Sequence, residues 1–350
     1  MPSDNKKQQL PQLPGDYKNI TMYHGSGGRL THQLIENIFI KTFDSTELKR
    51  GHDGAVFNNQ NNRYAFTTDS FVIKPLFFPG GNIGSLSVIG TVNDLAMCGA
   101  KPLYLSVGLI IEEGFSIETL KKIIHSMKIA ADSADVQIVT GDTKVVEYGK
   151  CDGIYINTSG VGSIDHQLDI CPQSIKSGDA IIINRDIGRH GVAVLSIREG
   201  LQFETKIESD CAPLADSIIT LIEFDIQIKC LRDLTRGGLA SALTELAGSA
   251  NLQFSIDEEK VPISIEVNNA CDILGLDPLQ VANEGTFILF VSGLDAERAL
   301  KILKNKLNWK DASIIGQVNN SSMNMVTIKS KLGTERIITM PIGEQQPRIC

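Results

Sequence analysis

Residues 81–100 read GNIGSLSVIGTVNDLAMCGA, and this stretch predicts a helix with one polar face. Ser87, Thr91 and Asp94 stand at positions i, i+4 and i+7, so a helix brings them to the same side. Two glycines also lie inside the predicted helix, and each costs about 1 kcal/mol relative to alanine there. That cost indicates that something approaches the helix closely, either a bound ligand or, as the alternative, a tightly packed neighbouring element.

The sequence on either side of this helix alternates between helical and strand-like patterns. Apolar residues recur at helical spacing in LTHQLIENIFIKTF (30–43), whereas YAFTTDSFVI (64–73) reads as a strand that stops on polar residues. Downstream, IETLKKIIHSMKIAADSA (117–134) predicts an amphipathic helix, VQIVTG (136–141) a strand and GIYINTSGVGSI (153–164) a pair of strands. Helices and strands mixed in this way indicate an α+β domain.

A second α+β block follows the polar stretch DHQLDICPQSIKSGD (165–179). Strands and helices alternate through it, in LRDLTRGGLASALTELAG (231–248), FSIDEE (254–259), DPLQVANEGTFILFVSG (277–293) and AERALKILKNK (296–306). A chain of 350 residues usually exceeds one hydrophobic core. We therefore predict a polar extension at 1–20, an N-terminal domain at 21–170, a C-terminal domain at 171–340 and a mobile tail at 341–350.

The composition is that of a globular protein and argues against several functional classes. With 42% hydrophobic and 21% charged residues, the chain is neither disordered nor fibrous. The formal net charge of −8 disfavours binding to nucleic-acid phosphates, and no apolar run approaches the roughly 20 residues that cross a membrane. The 7 cysteines form no C-x-x-C pair, and the first residues lack the apolar centre of a secretion signal. These features favour a reducing, cytoplasmic compartment.

Four aspartates follow apolar or small-residue segments and are flanked by Gly, Thr, Ser or Asn. They are Asp53 in GHDGAVF, Asp69 in TTDSF, Asp94 in TVNDLAMCGA and Asp142 in TGDTKVV. Each one alone fits a turn or a helix cap, which aspartate favours. Together at one site they would repel one another unless a cation neutralised them, and hard oxygen ligands suit Mg²⁺. Because Mg²⁺ usually takes one or two carboxylates and completes its shell with phosphates, we expect ions shared with a nucleotide.

Glycine-rich stretches provide the candidate phosphate contacts. HGSGGR (24–29) directly precedes a helical pattern, and TRGG (235–238) opens another helix, so backbone amides could hold phosphate at helix N-termini. Neither stretch matches the Walker pattern, and a flexible turn is the alternative. The candidates for nucleotide contact are Gly25, Gly27, Gly28, Arg29, Asn93, Gly141, Thr143 and Asp233.

Two further charged residues are candidates for proton transfer. Lys144 lies two residues beyond Asp142, where it either forms a surface ion pair or, facing the site, holds a phosphoryl group or acts as a base. Glu284, in ANEG before the strand TFILF, is the acid of the second domain best placed to reach a cleft. The 6 histidines show no paired metal-ligand spacing, so none receives a leading role.

The chain ends in PRIC, with Cys350 as its last residue. Either an irregular end happens to contain a cysteine, or a thiol sits on a mobile arm so that chemistry can be done to it. Residues 341–350 can reach roughly 30 Å when extended. An ordinary thiol has a pKa of about 8.5, which Arg348 would lower and the terminal carboxylate would raise, so we expect no large net shift.

In combination these motifs resemble the HypE family, the carbamoyl dehydratases of hydrogenase maturation. The matching segments are HGSGGR, GHDGAV, TTDSFVIKPLFFPGGNIGSLSVIGTVNDLAMCGAKP, VTGDTKVV, INTSGVG, LRDLTRGGLASAL, DPLQVANEG and PRIC. The resemblance runs from about Met22 to Cys350, and HypE belongs to the ATP-using superfamily of aminoimidazole ribonucleotide synthetase and selenophosphate synthetase. This chain departs from it in the added residues 1–20 and at 188–191, where GRHG replaces the family's G-D-H-G.

The resemblance implies a fold and a chemistry. The N-terminal sheet would pair with its twin across a homodimer, and ATP would lie in a groove with Mg²⁺ on the four aspartates. HypF would carbamoylate Cys350, ATP would activate the carbamoyl oxygen, and Lys144 or Glu284 would serve as the base. The resulting thiocyanate would supply cyanide, through the HypC–HypD complex, to the iron of [NiFe] hydrogenase. The alternatives are another synthetase of the superfamily, or a carrier of the modified tail without enzymatic activity.

Overall fold

The computed structural model describes residues 19–25, 27–59, 62–201, 206–320, 324–341 and 348–350. The predicted extension at 1–20, apart from residues 19 and 20, lies outside the described residues, as do 342–347 of the predicted tail. The described chain forms two large sheets with helices packed on them, so the predicted α+β class with two sheet-and-helix domains is confirmed. None of its described helices is long and apolar enough to cross a membrane.

The N-terminal half contains a five-stranded sheet. Its strands, with the short hairpin strands β3 and β4, are β1 (Ala55–Asn59), β2 (Asn62–Phe71), β3 (Phe77–Phe78), β4 (Gly81–Asn82), β5 (Lys101–Glu112), β6 (Gln137–Val146) and β7 (Ile154–Ile164). The order is β1-β2-β7-β5-β6, antiparallel throughout except for the parallel pair β5 and β6. Strand β6 therefore forms an edge of the sheet, and nearly all of its residues are exposed.

The helices of this half are α1 (Arg29–Leu34), α2 (Lys41–Phe43), α3 (Thr46–Lys49), α4 (Ile83–Met97) and α5 (Ile117–Ser133). A π-helical segment, Ile35–Ile40, joins α1 to α2, so the helix predicted at 30–43 is present with a π-bulge in its middle. The strand pair predicted at 153–164 is wrong, because this segment is the single strand β7. Its Gly160 marks a close approach instead of a turn: a methyl group there would lie 2.9 Å from Leu95 of α4.

Helix α4 is the central element of this half. It starts at a capping box in which the side-chain oxygen of Asn82 accepts from the amides of Gly84 and Ser85. A methyl group on Gly84 would lie 2.4 Å from the backbone oxygen of Ile123 in α5, and one on Gly90 would lie 2.9 Å from the Phe71 ring. The space beside these two glycines is therefore occupied by neighbouring parts of the protein, which confirms the alternative of a tightly packed element.

The C-terminal half contains a seven-stranded sheet. Its strands are β8 (Ala180–Ile183), β9 (Ile228–Asp233), β10 (Gln253–Asp257), β11 (Phe287–Val291), β12 (Ser313–Asn319), β13 (Val326–Lys329) and β14 (Glu335–Ile338), and its helices are α6 (Arg189–Arg198), α7 (Ala215–Glu223), α8 (Gly238–Ala250), α9 (Ile265–Leu274) and α10 (Ala296–Lys301). The order is β14-β13-β10-β12-β8-β11-β9. The neighbouring strands β8 and β11 are buried along their whole length, because helices cover both faces of the sheet.

The two halves share one hydrophobic core and a set of buried hydrogen bonds. The core cluster extends from Phe71 in β2 to Phe287 in β11. At its polar border, the Asn93 side chain of α4 donates to the carbonyls of Ala212 (3.1 Å) and Glu284 (3.2 Å) and accepts from the amide of Leu214 (2.9 Å). Asn93 was predicted to contact a nucleotide; here its side chain bonds to the other half of the molecule, and the nucleotide contact stays a prediction.

The packing of α4 gives a stability prediction. Replacing Gly84 by Ala should lower the free energy of unfolding by about 1–3 kcal/mol, since the new methyl group would overlap the rigid backbone of α5. Gly248 provides the matched control, because it lies inside α8 with open space around its α-carbon. Gly248→Ala should raise the free energy of unfolding by about 0.5–1 kcal/mol. Urea denaturation of both variants measures the difference, and equal stability of the two would contradict this account of α4.

Candidate active site

Three of the four predicted aspartates converge where β2 and α4 meet the C-terminal half. The Thr67 hydroxyl donates to the Asp94 carboxylate (2.8 Å), and the Thr91 hydroxyl donates to Asp69 (3.2 Å). Asp53 lies beside them, because the Thr67 hydroxyl also lies 3.1 Å from its carbonyl oxygen. The helix face predicted from residues 81–100 therefore does carry Thr91 and Asp94 into an acidic site.

The C-terminal half adds Asp233 to this cluster, together with the arginines Arg232 and Arg236. Asp233 at the end of β9 is buried among Asp53 and Asp69. The guanidinium of Arg232 lies 2.9 Å from the Asp53 carboxylate and also pairs with Glu245 at 3.2 Å. Asp233 was predicted as a nucleotide contact, and its position makes it a fourth member of the carboxylate cluster.

Burial dominates the electrostatics of these acids. It raises the pKa of Asp53 to about 6, although Arg232 acts in the opposite direction. Burial also raises the pKa of Asp94 well above its usual range, and the charges of Asp69 and Asp233 add to the effect. The pKa of Asp69 is raised by burial against the opposing effect of Arg236. The carboxyl groups thus outnumber the arginines beside them, and ionising all of them is unfavourable without a further cation.

This shortage of positive charge fits a cation. One carboxylate oxygen of Asp53 (Oδ2) and one of Glu284 (Oε1) are buried without a hydrogen-bond partner among the described residues. However, within the described ranges no group of three or more His, Cys, Asp or Glu side chains is arranged to hold a metal ion unaided. The donor set therefore suits a Mg²⁺ ion that takes a few carboxylates here and completes its shell with phosphate oxygens.

Asp142 and Lys144 lie apart from the cluster. Both are exposed on β6, with 2.8 Å between the Lys144 amine and the Asp142 carboxylate, and this hydrogen bond lowers the pKa of Asp142. Asp69 is in register with Gly141 across two intervening strands, so the next residue, Asp142, points to the opposite face of the sheet. Within one chain the prediction that four aspartates share a site is wrong, because three strand spacings of about 4.8 Å and the sheet itself intervene. Gly141 and Thr143 share the exposed strand.

The two glycine-rich stretches meet beside the acids. A methyl group on Gly27 would lie 2.7 Å from the β-carbon of Arg236, so Gly27 packs directly on the TRGG loop. Gly27 and Gly28 then line a cleft of about 860 Å³ together with Asp53, Thr67 and Arg232. Of the other predicted phosphate contacts, Gly25 and Arg29 are exposed residues outside the lining of this cleft.

Cys350 lies inside the site. The guanidinium of Arg236 donates to its sulfur (3.4 Å), and Glu284 and Asp69 are the nearest acids that act on it. Burial raises the pKa of the thiol to about 11, although Arg236 opposes the shift. The expectation of no large pKa shift is therefore wrong, because water is excluded from the thiol. Residues 349 and 350 are buried in this structure, and the mobility of the tail stays a prediction.

Glu284 belongs to a turn that is fixed by a neighbouring carboxylate. The Asp210 side chain accepts from the amides of Glu284 (3.1 Å) and Gly285 (2.9 Å) and from the hydroxyl of Thr286 (2.8 Å). Burial raises the pKa of Glu284 well above its usual range, with smaller contributions from Asp233 and Asp210. Of the two predicted bases, Glu284 is thus the one that lies beside the thiol.

Comparison with known proteins identifies the family of this chain. The models of the AIR synthase related protein match residues 51–164 with its N-terminal domain and 176–329 with its C-terminal domain. Carbamoyl dehydratase HypE of Bradyrhizobium diazoefficiens is 47% identical over 332 residues, which cover 95% of this chain and 96% of that protein. The chain belongs to the HypE family. The family prediction is confirmed, whereas the exact domain boundaries stay a prediction.

Solved HypE structures share the fold. The chain of the HypE–HypF complex is 48% identical and superposes with a TM-score of 0.83, covering 88% of this chain and 99% of its own. HypE in complex with ATP is 42% identical with a TM-score of 0.80, covering 94% of this chain and all of that one (100%). Both the synthetase and the carrier alternatives lose their support, since relatives that are 47% and 45% identical are named carbamoyl dehydratase HypE.

His190 is a site residue that the sequence analysis missed. It lies in the GRHG segment that departs from the usual HypE pattern and begins helix α6. Its Nε2 lies 2.8 Å from the carbonyl oxygen of Ile349, while Nδ1 lies 2.8 Å from the Ser209 hydroxyl. Because the Ile349 oxygen only accepts, Nε2 carries the proton. The departing residue, Arg189, pairs with Asp186 at 2.7 Å and leaves the tail contact intact. The GRHG motif was the sequence signal that could have pointed to His190.

The crowded acids give a second stability prediction. Asp94→Asn should raise the free energy of unfolding by about 1–2 kcal/mol at pH 7 without nucleotide, because it removes a buried charge. The pKa of Asp94 in the folded state is raised above its ordinary 3.8, so the folded wild-type protein is most stable at low pH and loses stability as the pH rises. The gain should therefore shrink toward pH 4, and urea unfolding at both pH values measures it. Asp165→Asn, at an exposed position, is the control; a gain independent of pH would contradict the assignment.

Proposed function

We propose that this protein uses ATP to dehydrate a carbamoyl group carried on its own Cys350, giving a thiocyanate. The observation that carries the proposal is the burial of the Cys350 thiol between Arg236, Glu284 and the acidic cluster. A thiol that served only as a carrier would gain nothing from this position. The product would supply cyanide for the iron centre of [NiFe] hydrogenase.

The chemistry needs an activated oxygen. In Cys350–S–C(=O)–NH₂ the carbonyl oxygen must leave, and hydroxide is a poor leaving group. Transfer of the γ-phosphoryl group of ATP to that oxygen releases ADP and one N–H proton and gives S–C(=NH)–O–phosphate. Loss of the second N–H proton as the C–O bond breaks then yields S–C≡N and inorganic phosphate. Positioning and charge stabilisation are the main tasks of the protein in such a transfer.

Arg236 and Glu284 are the residues best placed for these tasks. Arg236 contacts the sulfur, so its guanidinium lies close to where negative charge develops on the carbamoyl oxygen. Glu284 is proposed as the base for the N–H protons; its buried carboxyl oxygen has no hydrogen-bond partner in the described part of the chain. The raised pKa makes it a strong base once it is ionised, a state that Arg236 favours.

The nucleotide is assigned to the neighbouring cleft. Its volume of about 860 Å³ is within the range of small-molecule sites, and two glycines in its wall leave room for phosphates. Asp53, Asp69 and Asp94 would hold Mg²⁺, which when bound neutralises phosphate charge during transfer. The support is the uncompensated negative charge of these acids and the related HypE that was crystallised with ATP.

A homodimer would complete the site. The outer face and edge of the five-stranded sheet expose apolar side chains, including Tyr104, Ile110 and Val145. Exposed apolar surface of this extent on a sheet edge fits a second copy of the chain. In such a dimer, Asp142 and Lys144 of one chain would lie beside the acidic cluster of the other chain. This position would account for two charged residues on an exposed strand.

Partners and compartment follow from the same proposal. We propose HypF as the carbamoyl donor, supported by the related HypE solved in complex with HypF, and the HypC–HypD complex as the cyanide acceptor. The proposed compartment is the cytoplasm, which the free state of all 7 cysteines supports. Nucleic acid and membranes are not expected partners.

Mass spectrometry of the C-terminal peptide tests the reaction. With HypF, carbamoyl phosphate and ATP, wild type should show a carbamoylated Cys350 that loses water. Cys350→Ala should form no thiocyanate yet keep Mg-ATP binding in calorimetry. Glu284→Gln should accept the carbamoyl group but dehydrate it about 100-fold or more slowly, as expected for loss of a general base. Thiocyanate formation in Cys350→Ala would refute the proposal.

Mixed dimers test the origin of Lys144. Lys144→Ala and Cys350→Ala should each be inactive alone. Co-expressed with different tags and purified as the heterodimer, they should regain activity at one of the two sites, where an intact Cys350 meets the Lys144 of the other chain. An inactive heterodimer, with Cys350 still carbamoylated, would show that Lys144 does not act across the dimer.

A further inference from the structure

Arg348 is held by both halves of the molecule. Its guanidinium pairs with the Asp152 carboxylate, and its Nε donates to the carbonyl of Val72 (2.9 Å). Its own carbonyl oxygen accepts from the amide of Lys74 (3.2 Å) and from the guanidinium of Arg198 in α6 (2.8 Å). The contacts come from two loops of the N-terminal half and one helix of the C-terminal half, so they fix Arg348 at the junction.

The next two residues are held as well. The Ile349 carbonyl accepts from His190, and the Cys350 carbonyl accepts from the amide of Val72 (3.1 Å). Each of the three last backbone carbonyls thus has a donor. Residues two apart in extended chain are separated by about 6–7 Å, so a fixed Arg348 limits where the Cys350 sulfur can lie.

Asp152 is the only acid paired with Arg348 among the described residues, and it is not part of the acidic cluster. Its pKa is lowered, chiefly by the hydrogen bond from Arg348 and then by that from Lys74. The carboxylate is therefore ionised throughout the neutral range. Its side chain is 35% exposed and that of Arg348 is 27% exposed, so the pair is half-buried and its loss can be tolerated by the fold.

We propose that Asp152 is a positioning residue for the dehydration: by holding Arg348, it places the modified Cys350 against Arg236 and Glu284. The proposal rests on the proposed function, because it assigns the place of the carbamoylated sulfur during catalysis. The same contact withholds the thiol from solvent. Weakening the pair between Asp152 and Arg348 should therefore speed the reaction of Cys350 with thiol reagents and slow the dehydration step.

Thiol alkylation gives a readout that does not need the reaction. Labelling with iodoacetamide, followed by peptide mass spectrometry, should attach to Cys350 about fivefold faster in Asp152→Asn than in wild type, the factor that corresponds to an exposed or half-exposed ion pair. Asp152→Lys should exceed that factor, because it adds repulsion to the loss of the pair. Urea denaturation is the control for the fold: the free energy of unfolding of each variant should fall by no more than about 1 kcal/mol, as for the loss of a half-exposed ion pair.

Three further variants separate positioning from a structural effect. Lys74→Ala removes a charge partner of Asp152 but leaves the pair with Arg348, so Cys350 labelling should change less than about twofold. Arg348→Glu should label fast, and the double variant Asp152→Lys with Arg348→Glu should return toward the wild-type rate, because the ion pair is restored with its charges exchanged.

The catalytic readout is a single turnover. After carbamoylation by HypF, the Asp152→Lys protein should form thiocyanate several-fold more slowly than wild type, while the carbamoylation step is not slowed. Unchanged Cys350 labelling in Asp152→Lys, or no recovery in the exchanged pair, overturns the proposal. A fall in the free energy of unfolding well beyond about 1 kcal/mol in Asp152→Lys also overturns it, since fast labelling would then report a loss of the fold. If wild type forms no thiocyanate, the proposed function fails, whereas the labelling series still decides the role of Asp152.

Discussion

The central constraint on this molecule is the burial of several carboxylates around too few positive charges. Asp53, Asp69, Asp94 and Asp233 approach one another where the two halves meet, with Arg232 and Arg236 as their counter-charges. Burial disfavours each ionised carboxylate, and each neighbour adds to that effect. A fold selected only for stability would not retain this arrangement. It becomes useful when a ligand brings cations and phosphates that restore the balance of charge.

The terminal residue depends on the same junction. Arg236 touches the Cys350 sulfur and also faces Asp69 and Glu284, so one guanidinium links the tail to the acids. Burial raises the thiol pKa to about 11, which makes the docked sulfur a weak nucleophile at neutral pH. Loading of the thiol and processing of the loaded group therefore suit different positions of the same three residues, one in solvent and one inside the cleft.

Much of the fold could be predicted from periodicity, and part of the site from local motifs. The helix at 83–97 follows from its own sequence, as do the positions of Asp69 and Asp94 near element ends. Asp142 could not be placed, because a strand pattern does not say which face of a sheet meets the helices or which edge stays open. Asn93 and His190 lie in motifs that the sequence shows, but their partners Ala212 and Ile349 are more than 100 positions away, so these contacts could not be predicted from either motif. The burial of Cys350 likewise depends on both halves of the fold.

The tight seat of α4 has a consequence for reactivity. Where a methyl group on Gly84 or Gly90 would overlap its neighbours, the helix has no room to shift or to rotate. Asp94 is carried by that helix and cannot move away from the other acids when they repel it. The repulsion among the acids is therefore not relieved by movement of the helix, and a cation that binds beside them would relieve it. The carboxylates are thus already oriented before the reactants bind. The close packing at Gly84 and Gly90 therefore lowers the reorganisation energy of the acidic cluster.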